Sequence, residues 1–269
     1  MEAHLLGWLA VLSYAAAEAL AIVSLRRPRA STVVAGTLCL TAGLILHFAD
    51  LQLRARQLGS VPYRTLEGSV SLFGWMLAIA YLALQLRHRE HAIGPFLIPI
   101  VIVSSSIGLL LPAHISPATA QTRGALFALH VTFAILAYAA FTFSFVLSLL
   151  YLIQNRQIRK GHTGVLFARL PALAVIGRMN RTSVTIGLAV LTFAVAMGLV
   201  RAQELWGTLA DPKIAFALVT LAVYALLLWL DRRGWEGARV AILSILGFCV
   251  VIFSYTVVNL AFHTAHQFR

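Results

Sequence analysis

Eight runs of about 20 mostly apolar residues, each long enough to cross the hydrocarbon core of a bilayer, constrain this chain more than any other feature. They cover approximately residues 5–25, 32–53, 68–86, 93–112, 128–153, 182–201, 213–230 and 239–261. In lipid, backbone N–H and C=O groups find no water, so such runs fold as helices that satisfy their own hydrogen bonds. The expected class is all-α, a polytopic transmembrane helical bundle of about eight spans. Composition agrees: 60% of the 269 residues are hydrophobic and 11% are charged, far more apolar than a soluble domain. The net charge of +12 would suggest nucleic acid in a soluble protein, but here the arginines gather in the links between spans, where charge sets topology. The partner implied is the lipid bilayer, with no nucleic acid.

The links alternate in charge. Arg26, Arg27 and Arg29, then Arg87 and Arg89, then Arg156, Arg159, Lys160, Arg169, Arg178 and Arg181, then Arg232, Arg233 and Arg239 all fall on one side. The positive-inside rule makes that side cytoplasmic, so both termini face outward. The first span lacks a basic leader and an A-x-A-like site, so cleavage as a signal peptide is not expected. The longest inside link, Asn155 to Arg181, mixes basic residues with VLFARLPALAVI. It reads either as an amphipathic helix on the membrane surface or as a solvated basic loop. With no internal repeat or linker, residues 1–269 read as a single transmembrane domain. Cys39 and Cys249 lie inside apolar runs, far from any C-x-x-C or C-x-x-C-H pattern, and read as packing residues.

Histidines are the chemistry-bearing residues that fall at one depth. His4, His47, His114, His130, His263 and His266 lie toward the outer side, while His88, His91 and His162 lie in cytoplasmic links. At a rise of about 1.5 Å per residue, His130 stands about 39 Å from Arg156, His263 about 36 Å from Arg239, and His47 about 27 Å from Arg29. Against a core of about 30 Å, the first two reach the outer interface and His47 lies slightly below it. Neutral imidazoles from two helices can ligate haem iron axially. Arg54, Arg56, Arg64, Arg123 and Arg201 supply outward cations, and Tyr63, Phe127, Trp206 and Phe262 supply aromatic surface. Asp50, three residues after His47 on the same face, is placed to orient that ring. The plainer reading of each histidine is an interfacial polar side chain at a helix end.

Two acids need explanation. Glu18 lies well inside the first span, where an unpaired carboxylate costs roughly 2.5–3.5 kcal/mol; it needs either a hydrogen bond to a neighbouring helix or a proton. Glu67 opens the third span and suits the positive end of a helix dipole. Transporter marks are few, namely Glu18, Pro95 and Pro99, and no serine, cysteine or paired-carboxylate constellation suggests hydrolysis. The candidate catalytic set is empty.

Several segments together resemble the cytochrome c assembly family of haem-handling membrane proteins, which includes CcmC, CcsA and the HemX and YpjD-like members. They are LHVTFAILAYAAFTFSFVLSLLYL (129–152), RMNRTSVTIGLAVLTFAVAMGLV (178–200), ADPKIAFALVTLAVYALLLWL (210–230) and GWEGARVAILSILGFCVVIFSYTVVNLAFH (234–263), with a weaker match over 46–75. The resemblance implies an outward tryptophan-rich loop, W-G-x-x-W-x-W-D-P-K, as a haem platform, flanked by two ligand histidines. On this chain His130 and His263 fill the flanking positions, as metal ligands to haem iron. Trp206, Gly207, Asp211, Pro212 and Lys213 fill what remains of the loop. The loop is two residues shorter between Trp206 and Asp211, with Leu209 and Ala210 where tryptophan is missing. Trp229 stands where some members carry a histidine for a second haem inside the membrane. These departures resemble the short, eight-span HemX and YpjD-like branch.

What the resemblance implies is a multi-pass protein of the bacterial inner (cell) membrane that assists cytochrome c biogenesis. It would hold non-covalent, transient b-type haem near the outer surface for delivery to apocytochrome c. The cofactor-binding set is His130, His263, His47, Trp206, Asp211, Arg201 and Arg64, and other cytochrome c assembly proteins are implied partners. The thiols that become attached to haem belong to the acceptor, so the chain needs no catalytic side chain of its own; at most it is a subunit of a haem-attachment system. The alternative is a HemX/YpjD-like accessory or regulatory membrane subunit acting through a protein partner, without haem delivery.

Overall fold

Helices carry the described chain almost throughout, as the apolar runs require. The computed structural model describes residues 2–58, 65–88, 90–111, 124–161, 164–206, 212–235 and 237–261. In chain order the helices are α1 (Glu2–Arg26), α2 (Ala30–Leu58), α3 (Leu66–His88), α4 (Gly94–Leu110), α5 (Ala125–Arg159), α6 (Val165–Arg169), α7 (Leu173–Trp206), α8 (Pro212–Arg232) and α9 (Gly237–Ala261). Among the described residues, α1, α2, α3, α5, α7 and α8 are each long and apolar enough to cross a membrane, and 94–110 and 237–253 are shorter apolar stretches. Six of the eight expected spans are thus helices of spanning length, and the other two fall on the shorter apolar stretches of α4 and α9.

The link 155–181 takes a form that neither expectation covered. Helix α5 continues to Arg159, α6 is five residues long, and α7 begins at Leu173, nine residues ahead of the apolar run. Hydropathy marks only the part of a helix that lies in lipid. Once a turn has formed, each further residue adds a hydrogen bond, so helix formers such as Leu173, Ala174, Arg178 and Met179 extend α7 beyond the apolar core.

The chain packs as two units, one comprising residues 1–115 and 156–172, the other 116–155 and 173–269. In the first, α1 packs on α2 and α4, and α3 packs on α4. Ala10, Tyr14 and Ala17 form the buried stripe of α1. A Cβ at Gly43 would come within 2.7 Å of the Tyr14 ring, so α2 approaches α1 this closely only because residue 43 is glycine. Small residues at such seams let membrane helices bring their backbones together, where lipid offers no hydrophobic drive. Thr65 caps α3, its Oγ1 accepting from the Gly68 N–H at 3.3 Å. Glu67 sits buried in the first turn of α3, where the dipole favours a carboxylate.

In the second unit, Ala137 and Phe141 of α5, Val184, Leu191 and Val195 of α7, Tyr224 and Leu227 of α8 and Val240 and Val251 of α9 share one core. Phe141 stacks on Tyr224 with centroids 3.8 Å apart. A buried polar chain crosses it. Ser144 Oγ donates to Asn180 Oδ1 at 2.5 Å, so Ser244, 2.6 Å away, donates in turn to Ser144. Arg181 pairs with Asp231, its Nη2 donating to Oδ1 at 2.9 Å. Leu38, Ile45 and Phe193 are each more than 60% exposed, an outward apolar surface that suits lipid rather than water.

Candidate functional site

His130 lies in the second turn of α5, and Arg156 lies on the same unbroken helix; the span separating them in depth is thus continuous. Its imidazole is partly buried against α7, where Nδ1 is 2.6 Å from the Ala194 carbonyl oxygen. A carbonyl only accepts, so Nδ1 carries the proton and donates. The other nitrogen, Nε2, then keeps its lone pair, the form in which a histidine binds a metal, and the bond at Nδ1 fixes the ring and raises its basicity.

Helix α7 provides the seat. A Cβ at Gly198 would lie 2.6 Å from His130 Cε1 and 2.8 Å from Nδ1, so the imidazole rests directly on the glycine backbone. Ala194 and Gly198 were not singled out in the sequence. Their spacing, a small residue four before a glycine within an apolar run, is a known signature of close helix approach and marks this seam. Arg201 follows on the same face of α7, one turn past Gly198. Its side chain is 24% exposed and its Nη1 is 3.3 Å from Glu204 Oε2. A partly exposed guanidinium on the face that carries the imidazole can meet an anionic group of a ligand.

The remaining candidates divide between what is described and what is not. Trp206 is the last residue of α7 and Pro212 the first of α8, in agreement with a helix start at Pro212. The Trp206 side chain, Asp211, Arg64 and His263 lie outside the described residues; α9 is described to Ala261, two residues before His263. His47 belongs to the other unit and is 2% exposed. Its Nδ1 is 3.3 Å from Tyr14 Oη and its Nε2 is 2.9 Å from Ser71 Oγ, so both ring nitrogens are already in hydrogen bonds.

Asp50 does not orient His47. It is 1% exposed and accepts from Arg54 Nε at 2.9 Å, while Arg54 Nη1 donates to the Gly108 carbonyl at 3.0 Å. Arg54, expected as an outward cation, is thereby drawn into the packing of its own unit. The i,i+4 spacing of Asp50 and Arg54 was the available signal. Trp229, in the position of a possible second ligand, is 51% exposed and lies under Arg233, whose Cζ is 4.8 Å from the ring centroid. An indole nitrogen only donates, so it cannot ligate iron. Among the described residues no group of three or more His, Cys, Asp or Glu is placed to hold a metal ion. Bis-imidazole haem ligation takes a neutral histidine from each of two elements, and His130, whose Nε2 makes no hydrogen bond among the described residues, fits as one of them.

Fold and site together define an integral membrane protein of many helices with a ligand-competent histidine near one helix end. The family described as "Cytochrome C assembly protein" matches residues 63–266, and the chain belongs to it. A protein named cytochrome c biogenesis protein CcsA from Prochlorococcus marinus (strain MIT 9312) is 30% identical over 230 residues, covering 75% of this chain and 74% of that protein. A protein of the same name from Guillardia theta is 27% identical over 260 residues, covering 88% and 84%. One from Chlamydomonas reinhardtii is 28% identical over 228 residues, covering 81% and 64%. The chain is thus a multi-pass membrane protein of cytochrome c biogenesis. Helices α1 and α2 precede the matched region.

Proposed function

We propose that this protein holds haem for delivery to apocytochrome c, with His130 and His263 as the two axial ligands at the outer surface of a bacterial inner membrane. The observation that carries the reading is the His130–Ala194 hydrogen bond, which leaves Nε2 as the available nitrogen of a ring already held in place. Trp206 would supply flat apolar surface for the macrocycle, Arg201 and Arg64 would pair with its propionates, and Asp211 completes the set of haem-site residues. His47 supports the outward end of its own unit through Tyr14 and Ser71. Haem, bound non-covalently and transiently as b-type, brings the vinyl groups that cysteine thiols of an acceptor attack. This chain's part is to bind, orient and release it, with both packing units acting as one functional domain beside other assembly proteins.

The test is the absorption spectrum of protein purified from haem-replete cells, wild type beside His130→Ala and His263→Ala. A bis-histidine spectrum lost in both variants, together with impaired cytochrome c maturation, is expected. A haem-free protein whose two variants mature cytochrome c normally overturns the reading and favours an accessory subunit acting through a partner.

A further inference from the structure

At the arginine-bearing end of the first unit, a small cleft opens between α1, α2, α3 and the turn before α4. Its polar lining comes from Ser24, Thr32, Thr37, Tyr81, Gln85 and His91. Gln85 Nε2 donates to Thr37 Oγ1 at 2.5 Å, and Thr37 donates to the Val33 carbonyl at 2.9 Å, so one wall is internally satisfied. The other wall is not, since Ser24 Oγ and His91 Nδ1 are both buried without a hydrogen-bond partner among the described residues. Buried polar atoms are ordinarily met by ordered water, and the cleft beside these two, otherwise lined largely by apolar side chains, has room for about one water molecule.

Deeper along α1, about 9 Å from Ser24 at the helical rise, Glu18 Oε2 is also buried and without a hydrogen-bond partner among the described residues. Its neighbours Ala17 and Ala21 line the cleft, and its carboxylate interacts electrostatically with Tyr81, which lines it too. The hydrogen bond to a neighbouring helix, one of the two expectations for Glu18, is absent at this oxygen. The polar groups that line the cleft beside it are neutral. Tyr81 comes from α3, His91 from the turn before α4, and Thr32 and Thr37 from α2. Burial holds the His91 imidazole below its ordinary range, against the pull of Glu90, so it stays neutral. Arg26, Arg27 and Arg29 are exposed beyond the mouth, and no ion pair joins Glu18 to a cation among the described residues. A carboxylate at this depth without a cation is far cheaper to hold protonated than charged.

We propose that Glu18 is a proton-binding site inside the membrane, exchanging protons with the arginine-bearing side through water held in the cleft between Ser24, Tyr81 and His91. The carboxylate takes a proton from a cleft water and returns it the same way, the charge being restored by protons arriving from bulk solvent. Nothing in this depends on haem.

Infrared difference spectroscopy of the full-length protein in lipid vesicles, in H₂O and after transfer to D₂O, reads both parts of the proposal. Wild type should show a protonated carboxylic C=O band near neutral pH that Glu18→Gln lacks and that shifts promptly in D₂O. Ser24→Leu, which fills the cleft, should keep the band but slow its shift by an order of magnitude, because exchange then waits on local opening of the helices. His91→Leu fills the opposite wall and serves the same purpose if Ser24→Leu does not assemble. A spectrum without a band sensitive to Glu18→Gln overturns the proton site. A band that shifts equally fast in the filled variants overturns the route.

Discussion

Gly198→Ala isolates the seat of His130 from the histidine itself. The added methyl would lie 2.6 Å from Cε1 and 2.8 Å from Nδ1, whereas carbon atoms in contact settle at about 3.5–4.0 Å. The imidazole must therefore retreat by about 1 Å. The 2.6 Å bond to Ala194 would then lie at the edge of hydrogen-bond range, with a net loss of roughly 1 kcal/mol. The tautomer is no longer fixed, and loss of such an outer partner typically weakens a metal site by about 10–100-fold. Alanine is the better helix former by about 1 kcal/mol, so thermal stability should change little. Titration of the purified variant with haem reads the affinity, and ¹⁵N chemical shifts of His130 read the tautomer without any haem. Affinity reduced by at least an order of magnitude with the Nδ1–H form lost is expected. Wild-type affinity and an unchanged tautomer would refute the argument that Gly198 and Ala194 position this ring.

Three further outcomes follow from the packing. Arg54→Met should destabilise the protein by about 3–5 kcal/mol in denaturant unfolding, because it leaves the buried Asp50 carboxylate without its cation; Asp50→Asn added to it should recover much of the loss. Ser144→Ala strands Asn180 Oδ1 and the Ser244 hydroxyl, and unfolding should register a cost of about 1 kcal/mol, in the range measured for hydrogen bonds between membrane helices. His91 is held below its ordinary range by burial, while the unfolded chain takes up that proton near about pH 6.5. The stabilising term is therefore complete above that pH and is lost as pH falls through the window beneath it, so melting of His91→Leu should be less acid-sensitive than wild type.

The spans were legible because a bilayer imposes a length on every apolar run, and α1–α5 and α7–α9 fall where those runs do. Their ends were less so. The residues from Leu173 to Arg181 carry arginines that hydropathy scores as a link, although nothing in them opposes a helix. His130 was legible as a candidate from its depth, but the partner that fixes its tautomer lies 64 residues away, a distance that only packing closes. His47 shows the same limit: the hydroxyls that take its two nitrogens are 33 and 24 residues off, so sequence position alone could not distinguish it from a ligand. Asp50 was assigned to the wrong neighbour for a different reason. Two partners, at i−3 and i+4, were available on one helix face, and opposite charge selected Arg54. Glu18 posed a question that the sequence left open, and its Oε2 finds no hydrogen-bond partner among the described residues.

The central claim is that His130, through Nε2, and His263 together hold haem. The most direct measurement is the visible spectrum of the reduced protein from haem-replete cells, taken alongside the single variants His130→Met and His263→Met. Two nitrogen ligands predict a low-spin bis-imidazole spectrum in wild type and a changed axial signature in each variant. Haem bound with the same spectrum in all three proteins, or no haem in the wild type, would contradict it.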